Sequence, residues 1–439
     1  MTKGGLYKTI FHASAPTVVA FLLQSAFNIV DAFFVGKISS EALAAVSISF
    51  PIVFIIISIG SGLSVGVTSL AARYVGAKKY TMADNIAEHA ILSAAVAGVI
   101  LSVCGILVSP ILFDFMGATG SLKVLAVDYI NIILLFSTLN LFAMVGNGIM
   151  WGEGDMKTPM LALGGAAVLN IILDPFFIFV LGWGVSGAAV ATVIARTCGM
   201  IYLFIHILSD KSKVNLNWRD FKYDFTHIRS IFGMGIPSAL SNVIMSVSMF
   251  LLTAIVGTFG VDAIAAFGVG FRLDSIAILP AMGVSISMIS IVGQNIGAKK
   301  SKRARDATIW GGIFASAFMC AIGAIFYMFS REIISVFNTS PDVVEYGSSF
   351  LRIIPVSYVV VGVAMSMSGA FLGAGKAMLS LTATFLRALV FSVPLAYLLS
   401  TYWGVEGVWW GVVIGSYLGA LSCLIFYKYA KWDSIQANQ

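Results

Sequence analysis

Long apolar runs separated by short polar turns dominate the pattern along the chain. Twelve runs reach the length of about 20 residues that a helix needs to cross a bilayer. The runs are continuous, whereas the strands of a membrane β-barrel alternate in segments of about ten residues. The pattern therefore predicts an all-α polytopic membrane protein with twelve transmembrane helices. The predicted spans are 14–36, 42–72, 85–113, 122–151, 158–181, 184–208, 231–258, 262–294, 305–329, 343–372, 377–402 and 405–428.

The composition agrees with this pattern and excludes several classes of protein. Of the 439 residues, 59% are apolar and 10% are charged, whereas a soluble domain has about 25% charged residues. A soluble enzyme, a nucleic-acid-binding protein and a disulfide-linked secreted protein are therefore excluded. The four cysteines stand singly in apolar runs, so the sequence predicts neither a disulfide nor a metal site from them.

Lysine and arginine residues are concentrated in alternate turns. Nineteen of them fall on one side of the predicted bundle, here called the basic side, and only Lys37, Lys123 and Arg331 fall on the other side. Short basic loops stay in the cytoplasm, so both termini are predicted to be cytoplasmic and the protein to reside in the plasma or inner membrane. Basic residues in short loops indicate contacts with the lipid bilayer and no nucleic-acid partner.

The two halves of the chain repeat one another at an offset of 221 residues. The sequence GAKK at 76–79 recurs at 297–300, and the glycines at 148, 152 and 154 recur at 369, 373 and 375. The offset becomes 220 beyond this point. The repeat predicts a first lobe over 1–208, a cytoplasmic linker over 209–230 and a second lobe over 231–439. Parallel repeated halves are typical of transporters, and duplication in a static membrane scaffold is the alternative.

Polar residues interrupt three apolar runs of the first half. Asp31, Asp174 and Thr192 lie five to eight residues from the outer ends of their predicted helices, which places all three roughly 7–12 Å below the outer surface. Ionisable residues inside a span are costly and indicate function. Three further polar residues lie three to seven residues earlier on the first and fifth predicted helices: Gln24, Asn28 and Asn170.

The repeat provides an internal control for these six polar residues. Their counterparts in the second half are Met245, Met249, Leu252, Val390, Pro394 and Val412. The scaffold therefore accepts apolar residues at these positions, which favours a functional role over an interhelical hydrogen-bond network. Carboxylate, amide and hydroxyl oxygens suit a hard cation such as Na⁺, or a proton. No cofactor is predicted.

The second half has polar residues of its own. Arg272 and Asp274 lie within the eighth span and are candidates for a cavity, although residues two apart do not share a helix face. Met245 and Met249 are candidates for an adaptable cavity wall, with plain packing as the alternative. Two more arginines lie within predicted spans, Arg196 and Arg387. A snorkelling, an interhelical or a functional role is open for both.

Three stretches of the sequence resemble one transporter family. They are FNIVDAFFVG at 27–36, GNGIMWGEGD at 146–155 and LNIILDPFFI at 169–178. Together with the twelve spans in two homologous halves, they resemble the MATE family, the multidrug and toxic compound extrusion transporters. The chain is most similar to the prokaryotic DinF-like branch of that family, over about residues 10–430.

The resemblance implies a V-shaped bundle of two six-helix lobes, which works by alternating access to the two sides of the membrane. Such a protein is a monomeric antiporter and no enzyme, and it exports amphipathic, often cationic, small molecules in exchange for Na⁺ or H⁺. The implied cation site comprises Asp31, Asn170, Asp174 and Thr192. The resemblance adds Tyr129 and Asn147 as supporting polar residues beside Gln24 and Asn28, and Arg272 matches an arginine of the branch.

Two other functions are alternatives to this one. A flippase for a lipid-linked precursor would need a basic groove for phosphate, whereas the polar residues found here are mostly acidic or neutral. An intramembrane enzyme would need a nucleophile with a base or a cluster of metal ligands, and the sequence offers no such grouping. Transport of a small molecule is therefore the leading prediction.

Overall fold

The computed structural model describes residues 1–217, 221–430 and 432, and these residues form helices joined by turns and by one longer segment after residue 207. The first half contains α1 (Leu6–Gly36), α2 (Ser40–Gly76), α3 (Tyr80–Phe115), α4 (Gly120–Leu135), α5 (Ser137–Glu153), α6 (Lys157–Pro175), a π-helical turn (Phe176–Val180) and α7 (Gly184–Ile207). The second half contains α8 (Phe225–Gly257), α9 (Val261–Gly297), α10 (Ser301–Met328), α11 (Ser330–Phe337), α12 (Pro341–Ile353), a 3₁₀ turn (Ile354–Ser357), α13 (Tyr358–Gly373), α14 (Ala377–Phe385), a π-helical segment (Leu386–Ser392) and α15 (Val393–Tyr429). Residues 218–220 of the predicted linker, with Arg219, and Lys431 lie outside the described residues.

Within the described residues, ten helical segments are long and apolar enough to cross a membrane. An eleventh crossing comes from α4 and α5, which together pass the same test and meet at an angle of 51°. The segment Ala377–Tyr429 has 53 residues and would be about 80 Å long as a straight helix, more than twice the thickness of the hydrocarbon core. It therefore contains more than one crossing.

The chain reverses direction at Gly404 inside this long segment. Gly404 has φ 59° and ψ −142°, a conformation that glycine adopts at no steric cost. A Cβ atom added to Gly407 would lie 2.2 Å from the Leu399 carbonyl oxygen, and one added to Gly415 would lie 2.6 Å from the Ser392 Cα. Residues on the two sides of Gly404 thus pack in antiparallel order, which completes the predicted set of twelve crossings.

The helices form two compact units. The first unit is Val19–Ile236, and the second unit comprises Met1–Val18 and Pro237–Gln439. The boundaries fall inside α1 and α8, close to the intrahelical prolines Pro16 and Pro237. The lobes at 1–208 and 231–439 stay a prediction from the repeat.

The repeat is visible in the packing of each unit. Gly148 of α5 lies against α2, where an added Cβ would come within 2.6 Å of the Ser64 carbonyl oxygen. Gly369 of α13 lies against α9 in the same way, with 2.1 Å to the Ser285 carbonyl oxygen. Gly369 lies 221 residues after Gly148, and Ser285 lies 221 residues after Ser64. Small residues let membrane helices approach closely, so each unit uses the same glycine contact.

The two GAKK turns share an unusual backbone conformation. Lys78 has φ 60° and Lys299 has φ 58°, and among the described residues they are the only non-glycine residues with positive φ. In both turns the amide of the following lysine donates to a carbonyl five residues earlier, at 2.9 and 2.7 Å. This bond closes a helix C-terminus of the type that ordinarily carries glycine at the left-handed position.

Carboxylates of the first unit bind the described part of the predicted linker. Glu153 Oε2 accepts hydrogen bonds from Ser212 Oγ at 2.7 Å and from the Lys213 amide at 2.9 Å. On α3, Asp84 and Glu88 accept from backbone amides further along the linker at 2.8 and 2.7 Å. The linker is therefore fastened to the first unit by its own backbone.

Candidate functional site

Asp174 lies where the regular part of α6 ends. Pro175 follows it, and the next five residues form the π-helical turn Phe176–Val180. Such π-helical turns are rare and occur frequently at functional sites. Asp174 has no exposed surface, and Asn170, one turn earlier, is 1% exposed. The pair predicted from its i, i+4 spacing therefore faces the interior of the first unit.

Four helices of the first unit bring their polar residues together. Asn170 Nδ2 donates to Thr192 Oγ1 at 3.3 Å, which joins α6 to α7. The Asp31 carboxyl group of α1 is close enough to that of Asp174 to share a hydrogen bond when one of them carries a proton. Tyr129 of α4 is buried and interacts electrostatically with both carboxyl groups. Asp31, Asn170, Asp174 and Thr192 are called the oxygen cluster below.

The oxygen cluster contains more acceptors than the protein supplies donors. Four buried oxygen atoms have no hydrogen-bond partner among the described residues: Asp31 Oδ1, both carboxylate oxygens of Asp174, and Asn170 Oδ1. Leaving a buried polar atom unsatisfied costs about 1–3 kcal/mol, and two ionised carboxylates only accept hydrogen bonds. Oxygens of this kind are ligands for a hard cation, and a proton would join the two carboxyl groups. The donor set therefore fits either ion.

The described residues contain no group of three or more His, Cys, Asp or Glu side chains placed to hold a metal ion. The oxygen cluster has only two carboxylates, together with amide and hydroxyl oxygens. Such a set is typical of alkali or alkaline-earth cations, whereas transition metals favour imidazole and thiolate ligands.

Arg196 of α7 supplies positive charge close to the oxygen cluster. It interacts electrostatically with Asp31 and Tyr129, and its Nη1 donates to Asn140 Oδ1 at 3.3 Å. No carboxylate of a described residue lies within 4.0 Å of its guanidinium. Arg196 and Asn140 also line a small pocket with Thr192. The sequence left the role of Arg196 open and did not single out Asn140, whose signal was an amide inside an apolar span.

Three predicted supporting residues are less closely connected to the oxygen cluster. Gln24 Nε2 donates to Asn28 Oδ1 at 3.5 Å, and Asn28 is exposed. Asn147 is buried in α5, and its Oδ1 has no hydrogen-bond partner among the described residues. Their participation in cation binding stays a prediction.

The second unit has a separate group of polar side chains. The Tyr358 hydroxyl donates to Asp274 Oδ1 at 2.8 Å, and Asp274 interacts electrostatically with Arg387. Arg272 is exposed, while Leu273 between the two predicted candidates is buried. Asp274 is therefore placed beside Tyr358 and Arg387 by residues that the sequence did not connect with it.

The two methionine candidates of the second half lie on α8. Met245 is 42% exposed, and its sulfur accepts a hydrogen bond from Arg387 Nη2 at 3.1 Å. Met249, one turn later, is half-buried. Both are the repeat counterparts of polar residues of α1, so α8 presents soft apolar groups where α1 presents amides.

Comparison with known proteins gives consistent matches along the chain. The MatE family model matches residues 16–176 and 237–398, one segment in each repeated half. An FAD transporter from Shewanella oneidensis is 28% identical over 430 residues, which cover 95% of this chain and 93% of that protein. The multidrug export protein MepA from Staphylococcus aureus is 24% identical over 431 residues, with 96% and 94% covered. A solved outward-facing conformation of a multidrug resistance MATE family transporter of the MOP superfamily has a TM-score of 0.93 and 32% identity, with 97% of this chain and 96% of that chain covered.

Proposed function

Since the chain belongs to the MatE family of membrane transporters, we propose that it is an antiporter that exports amphipathic small molecules in exchange for Na⁺ or H⁺. The observation that carries the proposal is the oxygen cluster, with its four buried oxygens that lack a donor. The counterparts of these residues in the other half are apolar. A purely structural role would give no reason for this difference.

The oxygen cluster couples the cation to transport through its charge. Two neighbouring carboxylates in a low-dielectric interior repel each other and are costly to bury unless a cation or a proton balances them. Arg196 supplies part of that balance, but it forms no ion pair with either of them. Loading a cation therefore stabilises one state of the first unit, and losing it stabilises another. A ligand drives such a change through its different affinities for the two states.

The exported molecule combines an apolar body with a polar or charged group. Support comes from the multidrug export protein MepA among the relatives, and from the mixture of methionines and polar residues on α8 and α9. The transport cycle is alternating access, which the repeated halves support because parallel repeats are a recurring plan of transporters. The coupling cation supplies only charge, and the residues of this chain make the contacts that recognise the exported molecule.

The protein spans the plasma or inner membrane with both termini in the cytoplasm. The charge asymmetry supports this orientation, since nineteen lysines and arginines lie on the basic side and three on the other. The basic side also carries both GAKK turns and the linker.

Transport in proteoliposomes tests the proposal. The purified protein is reconstituted, and accumulation of the cationic dye ethidium is followed under an imposed Na⁺ gradient and, separately, under an imposed pH gradient. At least one of the two imposed gradients is expected to drive ethidium against its own concentration gradient. Movement that is equal with and without both gradients would reject cation coupling.

A further inference from the structure

Arg387 is a permanent positive charge inside a span of the second unit. It belongs to the π-helical segment Leu386–Ser392 and is half-buried. It lies ten residues from the beginning of α14 at Ala377, which corresponds to about 15 Å along a helix and places it near the middle of the bilayer. Arginine stays protonated in proteins, and a charged side chain at this depth faces a polar partner or a water-filled cavity.

The guanidinium of Arg387 has few protein partners. Its Nη2 donates to the thioether sulfur of Met245 at 3.1 Å, and thioether sulfur is a weak acceptor. No carboxylate of a described residue lies within 4.0 Å of it. A guanidinium has five N–H donors, so most of its hydrogen-bonding capacity is left for a molecule from outside the protein.

Asp274 balances the charge of Arg387 without occupying its donors. The two residues interact electrostatically, but they lie beyond ion-pair distance. The Asp274 carboxylate is held instead by the Tyr358 hydroxyl at 2.8 Å. This interaction lowers the free-energy cost of the arginine's charge in the membrane and leaves most of its N–H donors unoccupied.

The fold makes specific room for this arginine. The aliphatic part of Arg387 packs on Gly419 of α15, where an added Cβ would lie 2.5 Å from both Cβ and Cγ of the arginine. In the first half the counterpart of Arg387 is Ala167, and the counterpart of Gly419 is Gly199, which packs on the backbone of Ala162. The scaffold therefore folds with alanine at this place, and folding does not explain the arginine.

We propose that Arg387 binds an anionic group, a phosphate or a carboxylate, on the molecule that the protein exports. The planar fork of a guanidinium binds such groups through two parallel hydrogen bonds. Met245, 42% exposed beside it, and Met249 offer an adaptable apolar wall for the rest of the molecule. The substrate class therefore includes soluble amphipathic anions and zwitterions. This inference rests on the proposed transport function.

A relative points to the same chemistry. The protein from Shewanella oneidensis that is 28% identical over 430 residues is an FAD transporter, and FAD joins a flat aromatic ring system to a diphosphate. FAD is therefore the probe of the anionic site. Riboflavin carries the same ring system without phosphate, and ethidium is a flat cation.

The test compares these three probes in the full-length protein reconstituted in phosphatidylcholine. Wild-type protein is expected to bind and transport FAD and to bind riboflavin more weakly. Arg387→Met should weaken FAD binding at least about tenfold, as expected for the loss of a charge-assisted bidentate contact. Arg387→Lys should retain part of the FAD affinity, because the charge remains and the fork is lost. Arg331→Met, at an exposed position, is the matched control and should change nothing.

Several outcomes would overturn the inference. FAD transport at the wild-type rate in Arg387→Met would do so, as would a wild-type protein that transports ethidium and ignores FAD, in which case the proposed antiport still stands. Loss of FAD binding when phosphatidylglycerol is added to the liposomes would assign the arginine to a lipid headgroup, as a flippase requires. Failure of every probe to respond to a gradient rejects the proposed function itself. If Arg387→Met does not fold, FAD affinity equal to wild type in Arg387→Lys would count against the bidentate contact.

Discussion

The Asn170 side chain donates its amide to the Thr192 hydroxyl at 3.3 Å and keeps its Oδ1 without a donor. The hydrogen bond joins α6 to α7 at the depth where Asp174 is buried. It uses one of the two amide hydrogens of Asn170 and leaves the Asn170 Oδ1 atom as an acceptor without a donor, so the pair contributes oxygen atoms to a site already rich in carboxylates. This geometry is the basis of the first prediction.

Binding of Na⁺ should raise the thermal stability of the purified protein, because a ligand that binds only the native state stabilises it. Thr192→Val removes one oxygen ligand at nearly constant shape and should reduce the Na⁺-dependent shift in Tm. Protons compete for the same carboxylates, so the shift should shrink as the pH falls toward about 5. Fluorescence-monitored melting over a series of NaCl concentrations, with KCl as the reference salt, measures the effect.

The matched control is Thr384→Val in the second unit. Its hydroxyl donates only to the Ser380 carbonyl of its own helix, at 3.0 Å. This variant should keep the full Na⁺ response. Equal responses in both threonine variants would show that Thr192 is not a ligand, and a protein that ignores Na⁺ at every pH would favour a proton as the coupling ion.

Leu252→Asp places a carboxylate at the repeat counterpart of Asp31. Leu252 is 9% exposed and lies on α8, with apolar residues at the positions that correspond to the rest of the oxygen cluster. An uncompensated buried carboxylate costs several kcal/mol, so Tm should fall sharply. The substitution should restore no transport to an Asp31→Asn protein. Recovered, gradient-driven export in the double variant would mean that either half can hold the cation.

Replacing the left-handed lysines with glycine should stabilise the protein. Lys78 and Lys299 have φ near 60°, where a side chain is strained and glycine is not. Each of Lys78→Gly and Lys299→Gly should raise the free energy of unfolding by about 0.5–1 kcal/mol. Lys79→Gly is the control, since Lys79 has φ −92° and should gain nothing. An unchanged or lower Tm in both test variants would show that the backbone at Lys78 and Lys299 is not strained.

Glu153→Ala should release the linker from the first unit. Glu153 is 4% exposed, and its carboxylate accepts from the linker at 2.7 and 2.9 Å. Hydrogen bonds to a charged group are worth about 1.5–3 kcal/mol each, and their loss should open the linker locally. Trypsin should then cleave after Lys211 or Lys213 faster than in the wild-type protein, as measured by mass spectrometry of the fragments.

The control for the linker is Glu41→Ala, because Glu41 of α2 is exposed and accepts a hydrogen bond only from Ser121 at the beginning of α4, at 2.9 Å. It should leave the cleavage rate unchanged. Equal cleavage of the Glu153→Ala and wild-type linkers would show that other contacts, such as those of Asp84 and Glu88, hold the linker alone.

Much of the fold was predictable because a membrane imposes simple rules on a sequence. Spans follow from the length of apolar runs, and the burial of Asn170 with Asp174 follows from their helical spacing. The bend between α4 and α5 was not predicted, since its position at Phe136 carries no proline or glycine signal. The turn at Gly404 falls between the last two predicted spans, where the sequence GVEG repeats GVSG of the first half.

The partners of the charged residues were harder to predict. Spacing along one helix says which residues share a face, but it does not say which side chains of other helices meet that face. The sequence alone therefore leaves the role of Arg387 open, and its contacts with Met245 and Gly419 are visible only in the structure. Tyr358, the hydrogen-bond donor to Asp274, gave no signal of its own because a tyrosine is an ordinary residue in an apolar span.

Substitution of the two carboxylates of the oxygen cluster tests whether they couple a cation to transport. Asp31→Asn and Asp174→Asn are reconstituted beside Asp114→Asn, a control whose carboxylate forms an exposed ion pair with Lys123 at 2.5 Å. Ethidium binding and gradient-driven ethidium accumulation are measured for each protein. Both cluster variants should fold and bind ethidium but lose accumulation, while the control behaves as wild type. Normal accumulation in both cluster variants, or failure of both to fold, would contradict this prediction.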